Sequence, residues 1–193
     1  MGNKPMDTSL LDKAMIFAIN AHANTERRGK GTPYIIHPME AVAIVETMTT
    51  DQELLSAAAL HDVVEDTDIT IEDIRKEFGD RIAELVASES DLVVEGKSEE
   101  DSWIERKQFA IDRLKKLSRD AKIVALGDKL SNARAIYRDY MTLGDKLWDR
   151  FHVKDKKDHE WHYRGLLASL SELEDTFAYQ EFKETIEKLF PKK

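Results

Sequence analysis

A histidine and an aspartate stand side by side at the end of an apolar stretch. His61 and Asp62 follow residues 54–60, of which all but Ser56 are apolar. Burying a carboxylate in such surroundings costs several kcal/mol unless a cation or hydrogen-bond donors compensate its charge. An imidazole nitrogen and a carboxylate oxygen suit Mn²⁺, Fe²⁺ or Zn²⁺, so the pair could hold a divalent metal. The alternative is that both side chains only hydrogen-bond the end of a helix.

Two further side chains of the same chemical types lie in apolar segments elsewhere. His37 ends the mostly apolar run 34–37, and Asp128 ends the apolar helical run 122–128. On a helical wheel Asp128 shares its side with Ser131, which indicates that it points at a neighbouring element. Each has a structural alternative, a core histidine bonded to backbone and a buried salt bridge. Together with the first pair they provide four potential metal ligands from three separate helices.

The elements that would position these side chains are predicted to be helices. Glycine and proline are scarce, at 8 and 4 residues, and apolar residues recur at helical spacing rather than in strict alternation. Strand signals are weak and confined to residues 34–36 and 92–94. We therefore predict an all-α, single compact domain of about eight to ten helices. The predicted helices are residues 8–24, one begun near Pro38, 52–60 after an Asp51 cap, one from a Thr70–Asp73 capping box to Gly79, 81–88, 103–117, 121–141 and two or three within 143–189.

Charge and composition argue against several functions. The 29 basic and 38 acidic side chains leave a formal charge of −9, which argues against nucleic acid or an anionic membrane as the main partner. Without any cysteine the chain has no disulfide, thiolate zinc site or cysteine nucleophile. The N-terminus lacks a signal-peptide core, and no apolar run is long enough to span a bilayer. We expect a soluble, cytoplasmic protein, and a homo-oligomer stays open.

Positive charge is concentrated in the loop just before His37. The loop contains Arg27, Arg28 and Lys30 within a segment that also holds two glycines. Guanidinium groups stack on bases and bind phosphates, so a negatively charged nucleotide could dock here. A solvated loop without a ligand is the alternative.

Five sequence blocks follow one another in a recognisable order. The blocks are Ala21-His22, residues 28–38 (RGKGTPYIIHP), residues 58–67 (AALHDVVEDT), Phe78-Gly79 and residues 128–132 (DKLSN). They resemble the metal-binding signature of the HD-domain phosphohydrolases. More narrowly, they resemble the hydrolase domain of RelA/SpoT-type enzymes and the stand-alone small alarmone hydrolases. The resemblance covers about the first 140 residues in matching order and spacing.

The resemblance implies a metal site and a nucleotide site. One divalent ion, usually Mn²⁺ in these enzymes, would be held by His37, His61, Asp62 and Asp128. Glu65 and Asp66 would flank the water that the ion activates, with Glu65 close enough to accept its proton or to orient it. Arg28 would lie against the purine base and Asn132 would contact the nucleotide, while Lys30 of the basic loop would help to bind it.

The resemblance also implies an organisation and a function. It divides the chain into a flexible N-terminus (1–7), an HD phosphohydrolase core (8–141) and C-terminal helices (142–193) packed on the same domain. The implied function is Mn²⁺-dependent removal of pyrophosphate from the 3′ position of guanosine tetraphosphate or a related nucleotide. Two alternatives stay open, a phosphatase for another ester such as the 2′-phosphate of NADPH, and a non-catalytic nucleotide sensor. Residues 88–103 and Ala135 depart from the family pattern near the nucleotide, so the metal site transfers more directly than the substrate.

Overall fold

The computed structural model describes residues 6–27, 30–89, 94, 96–98 and 100–192. Within these residues the chain forms ten α-helices and two 3-10 helices, and its extended backbone pairs at one isolated bridge, between Glu26 and Pro33. The α-helices are α1 (Ser9–Ala21), α2 (Ile36–Glu46), α3 (Gln52–Leu60), α4 (Val63–Asp66), α5 (Ile71–Phe78), α6 (Asp80–Ala87), α7 (Trp103–Leu114), α8 (Arg119–Leu143), α9 (Lys156–Ser169) and α10 (Phe177–Leu189). The 3-10 helices span Gly144–Arg150 and Ser171–Leu173. The predicted all-α fold is confirmed.

Local capping explains where several helices begin. The Asp51 carboxylate accepts the backbone N–H of Glu53 at 2.9 Å, which satisfies a free donor at the start of α3. Thr70 and Asp73 form the predicted capping box of α5, each side chain accepting the other residue's backbone N–H. Gly79 then separates α5 from α6 with φ of 90°, a conformation that residues with a Cβ rarely adopt.

Three local predictions differ from the structure. Helix α7 was expected to reach residue 117 but ends at Leu114. Helix α1 was expected to reach residue 24 but ends at Ala21. Asn24 has φ of 62°, in the left-handed region that an α-helix cannot continue through, and the N–H of Thr25 donates to the His22 carbonyl in a turn. Residues 34–36 do not form a strand, since Tyr34 and Ile35 form a turn and Ile36 begins α2. The second weak strand signal falls on residues 92–94, of which 92 and 93 lie outside the described residues.

Helix α3 lies at the centre of the domain. All residues from 54 to 60 are buried, and α3 contacts α1, α2, α6 and α8. Its small residues Ser56, Ala57, Ala58 and Ala59 let these neighbours approach closely. The C-terminal end of α3, where His61 and Asp62 follow, is therefore held in the interior.

Helices α2 and α8 pack closely because α8 has a glycine at their contact. A Cβ at Gly127 would come within 2.7 Å of a Val45 methyl group and 3.0 Å of the Ala41 carbonyl oxygen. A backbone oxygen cannot move aside as a flexible side chain can, so only glycine fits here without displacing a helix. The contact brings the start of α2, with His37, next to Asp128 of α8.

The C-terminal helices pack on the helices described so far. Helix α10 contacts α8 and α9, and α9 contacts α7. Aromatic rings fill the space between them, with Trp148 and Phe190 stacked at 5.7 Å between ring centroids. The domain boundaries near residues 8 and 141 stay a prediction, and residues 1–5 of the expected flexible N-terminus lie outside the described part. None of the helices described is both long and apolar enough to cross a membrane.

Candidate metal centre

Four side chains of metal-ligand type converge in the interior of the domain. His37 is the second residue of α2, His61 and Asp62 directly follow α3, and Asp128 lies midway along α8. The Nε2 atoms of His37 and His61 are 3.3 Å apart. Asp128 Oδ1 lies 3.0 Å from His37 Nε2, and Asp62 Oδ2 lies 2.9 Å from His61 Nε2. The structure thus brings together all four predicted ligands from three segments that are far apart in the sequence.

The donor set fits a divalent ion. Ligand atoms of His37, His61 and Asp128 all lie within 4.8 Å of one another, and Asp62 Oδ2 lies within 3.3 Å of both Nε2 atoms. Two imidazole nitrogens and two carboxylate oxygens match the preferences of Mn²⁺, Fe²⁺ and Zn²⁺. His37, His61 and Asp128 are buried, so their charges are shielded little by solvent. The role of each of the four as a ligand stays a prediction.

The electrostatics of the cluster favour positive charge at its centre. Burial alone would lower the pKa of both imidazoles, but the carboxylates beside them outweigh it. The pKa of His37 is raised and that of His61 is raised well above its usual value. Burial would likewise raise the pKa of Asp62 and Asp128, but the imidazoles and, at Asp128, the ammonium of Lys129 lower it. A divalent cation supplies such positive charge and releases the imidazole protons when it binds.

Both imidazoles are held by their outward nitrogens. His61 Nδ1 lies 2.8 Å from the Ala58 carbonyl oxygen, and His37 Nδ1 lies 2.8 Å from Ser131 Oγ. Ser131 in turn donates its hydroxyl hydrogen to Glu40 at 2.8 Å. Partners of this kind fix the orientation of a metal-binding histidine. As a result both Nε2 atoms face the centre of the cluster.

The carboxylates are also oriented by hydrogen bonds. The Tyr34 hydroxyl donates to Asp62 Oδ2 at 2.7 Å. Asp128 accepts from Asn132 Nδ2 and from Lys129 Nζ, each at 2.5 Å. Glu89 lies 3.1 Å from the same ammonium and offsets its charge. Each carboxylate therefore reaches the cluster already held by neutral or positive donors, which reduces the cost of its burial.

Of the predicted substrate-binding residues that the structure describes, Asn132 lies beside Asp128 and Lys30 contacts residues farther along α8. Asn132 bonds Asp128 and accepts a hydrogen bond from Arg27 Nη2 at 2.7 Å. The Lys30 ammonium lies 2.9 Å from Asp139, and it donates to the Ala135 carbonyl at 3.4 Å. Arg28 lies outside the described residues. The basic loop therefore reaches α8 next to the metal cluster, and the substrate roles stay predictions.

The predicted catalytic carboxylates lie on the short helix α4. Glu65 and Asp66 are both exposed, one turn beyond Asp62. Burial and the charges of Asp62 and Asp66 raise the pKa of the Tyr34 hydroxyl far above its usual value. Asp66 therefore lies close to the Tyr34 hydroxyl, the group that also bonds the Asp62 carboxylate. The roles of Glu65 and Asp66 in proton transfer stay predictions.

Several residues that shape the site were missed at the level of sequence. Tyr34, Glu40 and Lys129 each bond a predicted ligand or its partner. Arg27 was predicted as part of the basic loop, but its hydrogen bond to Asn132 was not. Ser131 was placed on the side of Asp128 by the helical wheel, but its contact with His37 was not foreseen. The sequence shows that these residues are polar and lie in or near the motifs. It does not show their hydrogen-bond partners, because those depend on how distant helices pack.

Comparison with known proteins supports the reading of these motifs. The HD-domain family profile matches residues 14–148. The chain is similar to guanosine-3′,5′-bis(diphosphate) 3′-pyrophosphohydrolase MESH1 of Danio rerio, with 38% identity over 134 residues, covering 68% of this chain and 71% of that protein. It is also similar to the Homo sapiens protein of the same name, with 36% identity over 135 residues, covering 68% of this chain and 72% of that one.

A solved structure has the same fold over nearly the whole chain. It belongs to a metazoan ortholog of SpoT that is described as hydrolysing ppGpp. The superposition has a TM-score of 0.71 and covers 98% of this chain and 97% of the other, at 24% sequence identity. The C-terminal helices beyond the family match are therefore part of a shared architecture.

Proposed function

The chain belongs to the HD-domain family of hydrolases, and we propose that it removes pyrophosphate from the 3′ position of guanosine tetraphosphate. One observation carries the proposal. His37, His61, Asp62 and Asp128 converge next to the Arg27–Asn132 pair in a chain 38% identical to a protein named for this activity. Neither a bare metal site nor a basic loop alone would favour a nucleotide diphosphate ester over other substrates.

The proposed metal site uses the four converging side chains. A divalent ion, which we take to be Mn²⁺, would lower the pKa of a bound water and neutralise charge on the phosphoryl oxygens. His37 and His61 would bind it through Nε2, because their Nδ1 atoms already have partners. Asp62 and Asp128 would contribute the carboxylate oxygens that now lie beside these nitrogens.

The other proposed roles belong to residues around the cluster. Glu65 accepts a proton from the attacking water at its carboxylate, as a general base three residues after Asp62 can. Asp66 and the Tyr34 hydroxyl orient that water, since the hydroxyl bonds the Asp62 carboxylate and Asp66 lies near the hydroxyl. The water oxygen bonds to the phosphorus attached to the 3′ oxygen, and the bond between that phosphorus and the 3′ oxygen breaks. The 3′ oxygen leaves with the proton that Glu65 accepted from the water. The products are GDP and pyrophosphate.

The basic loop is proposed to bind the nucleotide. Arg27 lies against Asn132 with further guanidinium N–H groups to offer, and Arg28 follows it in the sequence. Guanidinium groups bind phosphate in bidentate fashion and stack on bases, whereas the Lys30 ammonium acts as a point charge. This local positive charge lets a chain of net charge −9 take a polyanionic substrate. We place the reaction in the cytoplasm, where such nucleotides are free.

Product analysis tests the proposed function. Purified protein is incubated with Mn²⁺ and guanosine tetraphosphate, with and without a chelator, and the products are resolved by anion-exchange chromatography. We expect GDP and pyrophosphate in the sample without chelator, and neither in the chelated one. An Asp128→Asn variant purified in parallel controls for contaminating phosphatases.

Two results would contradict the proposal. Release of orthophosphate alone would assign the site to another phosphate ester, such as the 2′-phosphate of NADPH. Bound metal without turnover of guanosine tetraphosphate would show that the pocket serves a different ligand, and a nucleotide panel would then identify it.

A further inference from the structure

One of the two imidazoles in the metal cluster is held by a chain of side chains. His37 Nδ1 lies 2.8 Å from Ser131 Oγ, and the Ser131 hydroxyl donates to Glu40 Oε2, also at 2.8 Å. Ser131 is completely buried and His37 is 3% exposed, so solvent does not compete for these bonds. The chain of contacts links α2 to α8 behind the cluster.

The direction of these hydrogen bonds follows from counting hydrogens. A carboxylate only accepts, so the single hydroxyl hydrogen of Ser131 must point at Glu40. Ser131 Oγ then presents a lone pair to His37 Nδ1, which must carry the ring hydrogen. A neutral imidazole with its hydrogen on Nδ1 has a free lone pair on Nε2. That is the atom 3.0 Å from Asp128 Oδ1.

The charge on Glu40 is anchored independently of His37. Arg134 donates to its Oε1 at 3.3 Å, and Arg138 lies 3.8 Å from its Oε2. Arg134 also pairs with Glu181 through two N–H groups, both at 2.7 Å. The carboxylate at the end of the chain is therefore held in place by cations on α8, whichever way the Ser131 hydroxyl turns.

The second imidazole of the cluster is fixed in a different way. His61 Nδ1 faces the Ala58 carbonyl oxygen, a backbone acceptor that allows only a hydrogen on Nδ1. A serine hydroxyl can either donate or accept. Which ring nitrogen of His37 carries the hydrogen therefore depends on Glu40, the residue that bonds the other side of Ser131. Side-chain changes can therefore alter the hydrogen position at His37 and not at His61.

We propose that Ser131 and Glu40 are positioning residues that fix the hydrogen of His37 on Nδ1 and thereby set the affinity of the cluster for a divalent ion. This inference rests on the proposed function, in which His37 is a metal ligand. The two residues act through His37 and do not touch substrate or metal.

Metal titration without substrate tests this relay, the hydrogen bonds that lead from Glu40 through Ser131 to His37. Binding of Mn²⁺ alone to the purified protein is measured by calorimetry. Ser131→Ala removes the partner of Nδ1, and we expect about 10- to 100-fold weaker binding, the usual effect of removing a partner of a metal-binding histidine. Ser131→Thr keeps the hydroxyl and is expected to restore affinity to near the wild-type value. Thermal unfolding confirms that each variant is folded.

A matched pair of glutamates isolates the effect of the carboxylate. In Glu40→Gln the amide can donate to Ser131, the hydroxyl hydrogen can turn to His37, and we expect about 10-fold weaker binding of Mn²⁺. Glu181→Gln makes the same change beside the same Arg134 without touching the relay, and should bind Mn²⁺ as the wild type does. This pair decides the question if Ser131→Thr does not fold.

The outcomes separate this inference from the proposed function. Wild-type affinity in folded Ser131→Ala, or equal weakening in Glu40→Gln and Glu181→Gln, would overturn the relay. A wild-type protein that binds no Mn²⁺ would instead overturn the metal site on which the proposed function depends.

Discussion

Residues of the basic loop differ in whether their hydrogen-bond partners contact the proposed metal ligands. Arg27 donates to Asn132, which in turn bonds Asp128, so it connects the loop directly to the proposed metal centre. Lys30 instead pairs with Asp139, farther along α8. Two positive charges of the same loop thus have different partners. Of the two, Arg27 lies closer to the cluster, and we propose that it holds a phosphate there.

Replacing Arg27 by alanine should weaken substrate binding more than turnover. Loss of one charge-assisted hydrogen bond costs about 1.5 kcal/mol, which corresponds to about a tenfold increase in KM with a smaller change in kcat. Steady-state kinetics with guanosine tetraphosphate measure both constants. Arg75→Ala is the control, since it removes a half-buried arginine of α5 that pairs with Asp80 of α6, and it should leave KM unchanged. An unaltered KM in Arg27→Ala would exclude Arg27 from the substrate site.

The candidate site was predictable from sequence to the extent that residue type and local surroundings determine it. His37, His61, Asp62 and Asp128 stand out because each is a polar ligand type in an apolar segment. Their partners could not be inferred in the same way, since the Ser131–His37 bond joins residues 94 positions apart. Only the packing of α2 on α8 creates that contact.

At the scale of secondary-structure elements, the distance between α2 and α8 decides whether the cluster can form. One helix carries His37 and the other carries Asp128, and the two cross at Gly127, immediately before Asp128. Residue volume at this crossing therefore controls the geometry of the proposed metal ligands.

A methyl group at Gly127 should disturb both stability and metal binding. Gly127→Ala places a Cβ 3.0 Å from the Ala41 carbonyl oxygen and forces the helices apart. Overpacking of this kind costs about 1–3 kcal/mol of the free energy of unfolding, and we expect weaker Mn²⁺ binding as well. Denaturant unfolding and Mn²⁺ calorimetry measure the two effects.

Gly165 offers a matched control for this substitution. A Cβ there would meet the side chain of Ile111, where α9 packs on α7 rather than at the metal cluster. Gly165→Ala should therefore lower stability without changing the affinity for Mn²⁺. Wild-type stability and affinity in Gly127→Ala would show that the α2–α8 contact is not critical.

The helices themselves were largely predictable because capping and periodicity are local. Asp51, Thr70 and Gly79 mark boundaries by hydrogen bonds or backbone angles that depend on adjacent residues. The end of α1 was missed, because the turn at Asn24 is not signalled by a glycine or proline. The order in which helices pack around α3 depends on distant contacts and was not predicted from the sequence.

At the level of the domain, the C-terminal helices pack against α8, the helix that carries Asp128. Helix α10 packs on α8, and on α9 the pKa of Tyr163 is raised by burial and by the charge of Asp128. The sequence left open whether these helices cover the pocket or form a subunit interface. In the structure they bury the outer side of α8, so the stability of the C-terminal part supports the site.

Acid should destabilise the domain partly through His162 on α9. Burial and the nearby charges of Lys107 and Lys129 lower the pKa of His162 well below its usual value. Above about pH 6.5 this group is neutral in both the folded and the unfolded chain. Below that pH the unfolded chain binds a proton that the folded chain does not, so the free energy of unfolding decreases as pH falls.

Replacing His162 by phenylalanine should reduce this acid sensitivity. His162→Phe keeps an aromatic ring beside Trp103 and Tyr163 but removes the titrating group. Between about pH 7.5 and pH 5.5 we expect it to lose less stability than the wild type in denaturant unfolding. Trp161→Phe, a change on the same helix without a titrating group, should keep the wild-type dependence. Identical pH profiles for His162→Phe and wild type would contradict the assignment.

Metal binding and pyrophosphate release, measured together in three proteins, test most directly whether the His37–His61–Asp62–Asp128 cluster performs the reaction. The wild type should bind one Mn²⁺ ion per chain and release pyrophosphate from guanosine tetraphosphate in a chelator-sensitive way. Asp128→Asn should lose both properties. Asp120→Asn, which alters a half-buried carboxylate that lies on the same helix as Asp128 and pairs with Arg81, should keep both. Continued pyrophosphate release by Asp128→Asn protein that binds no metal would contradict the assignment of this cluster.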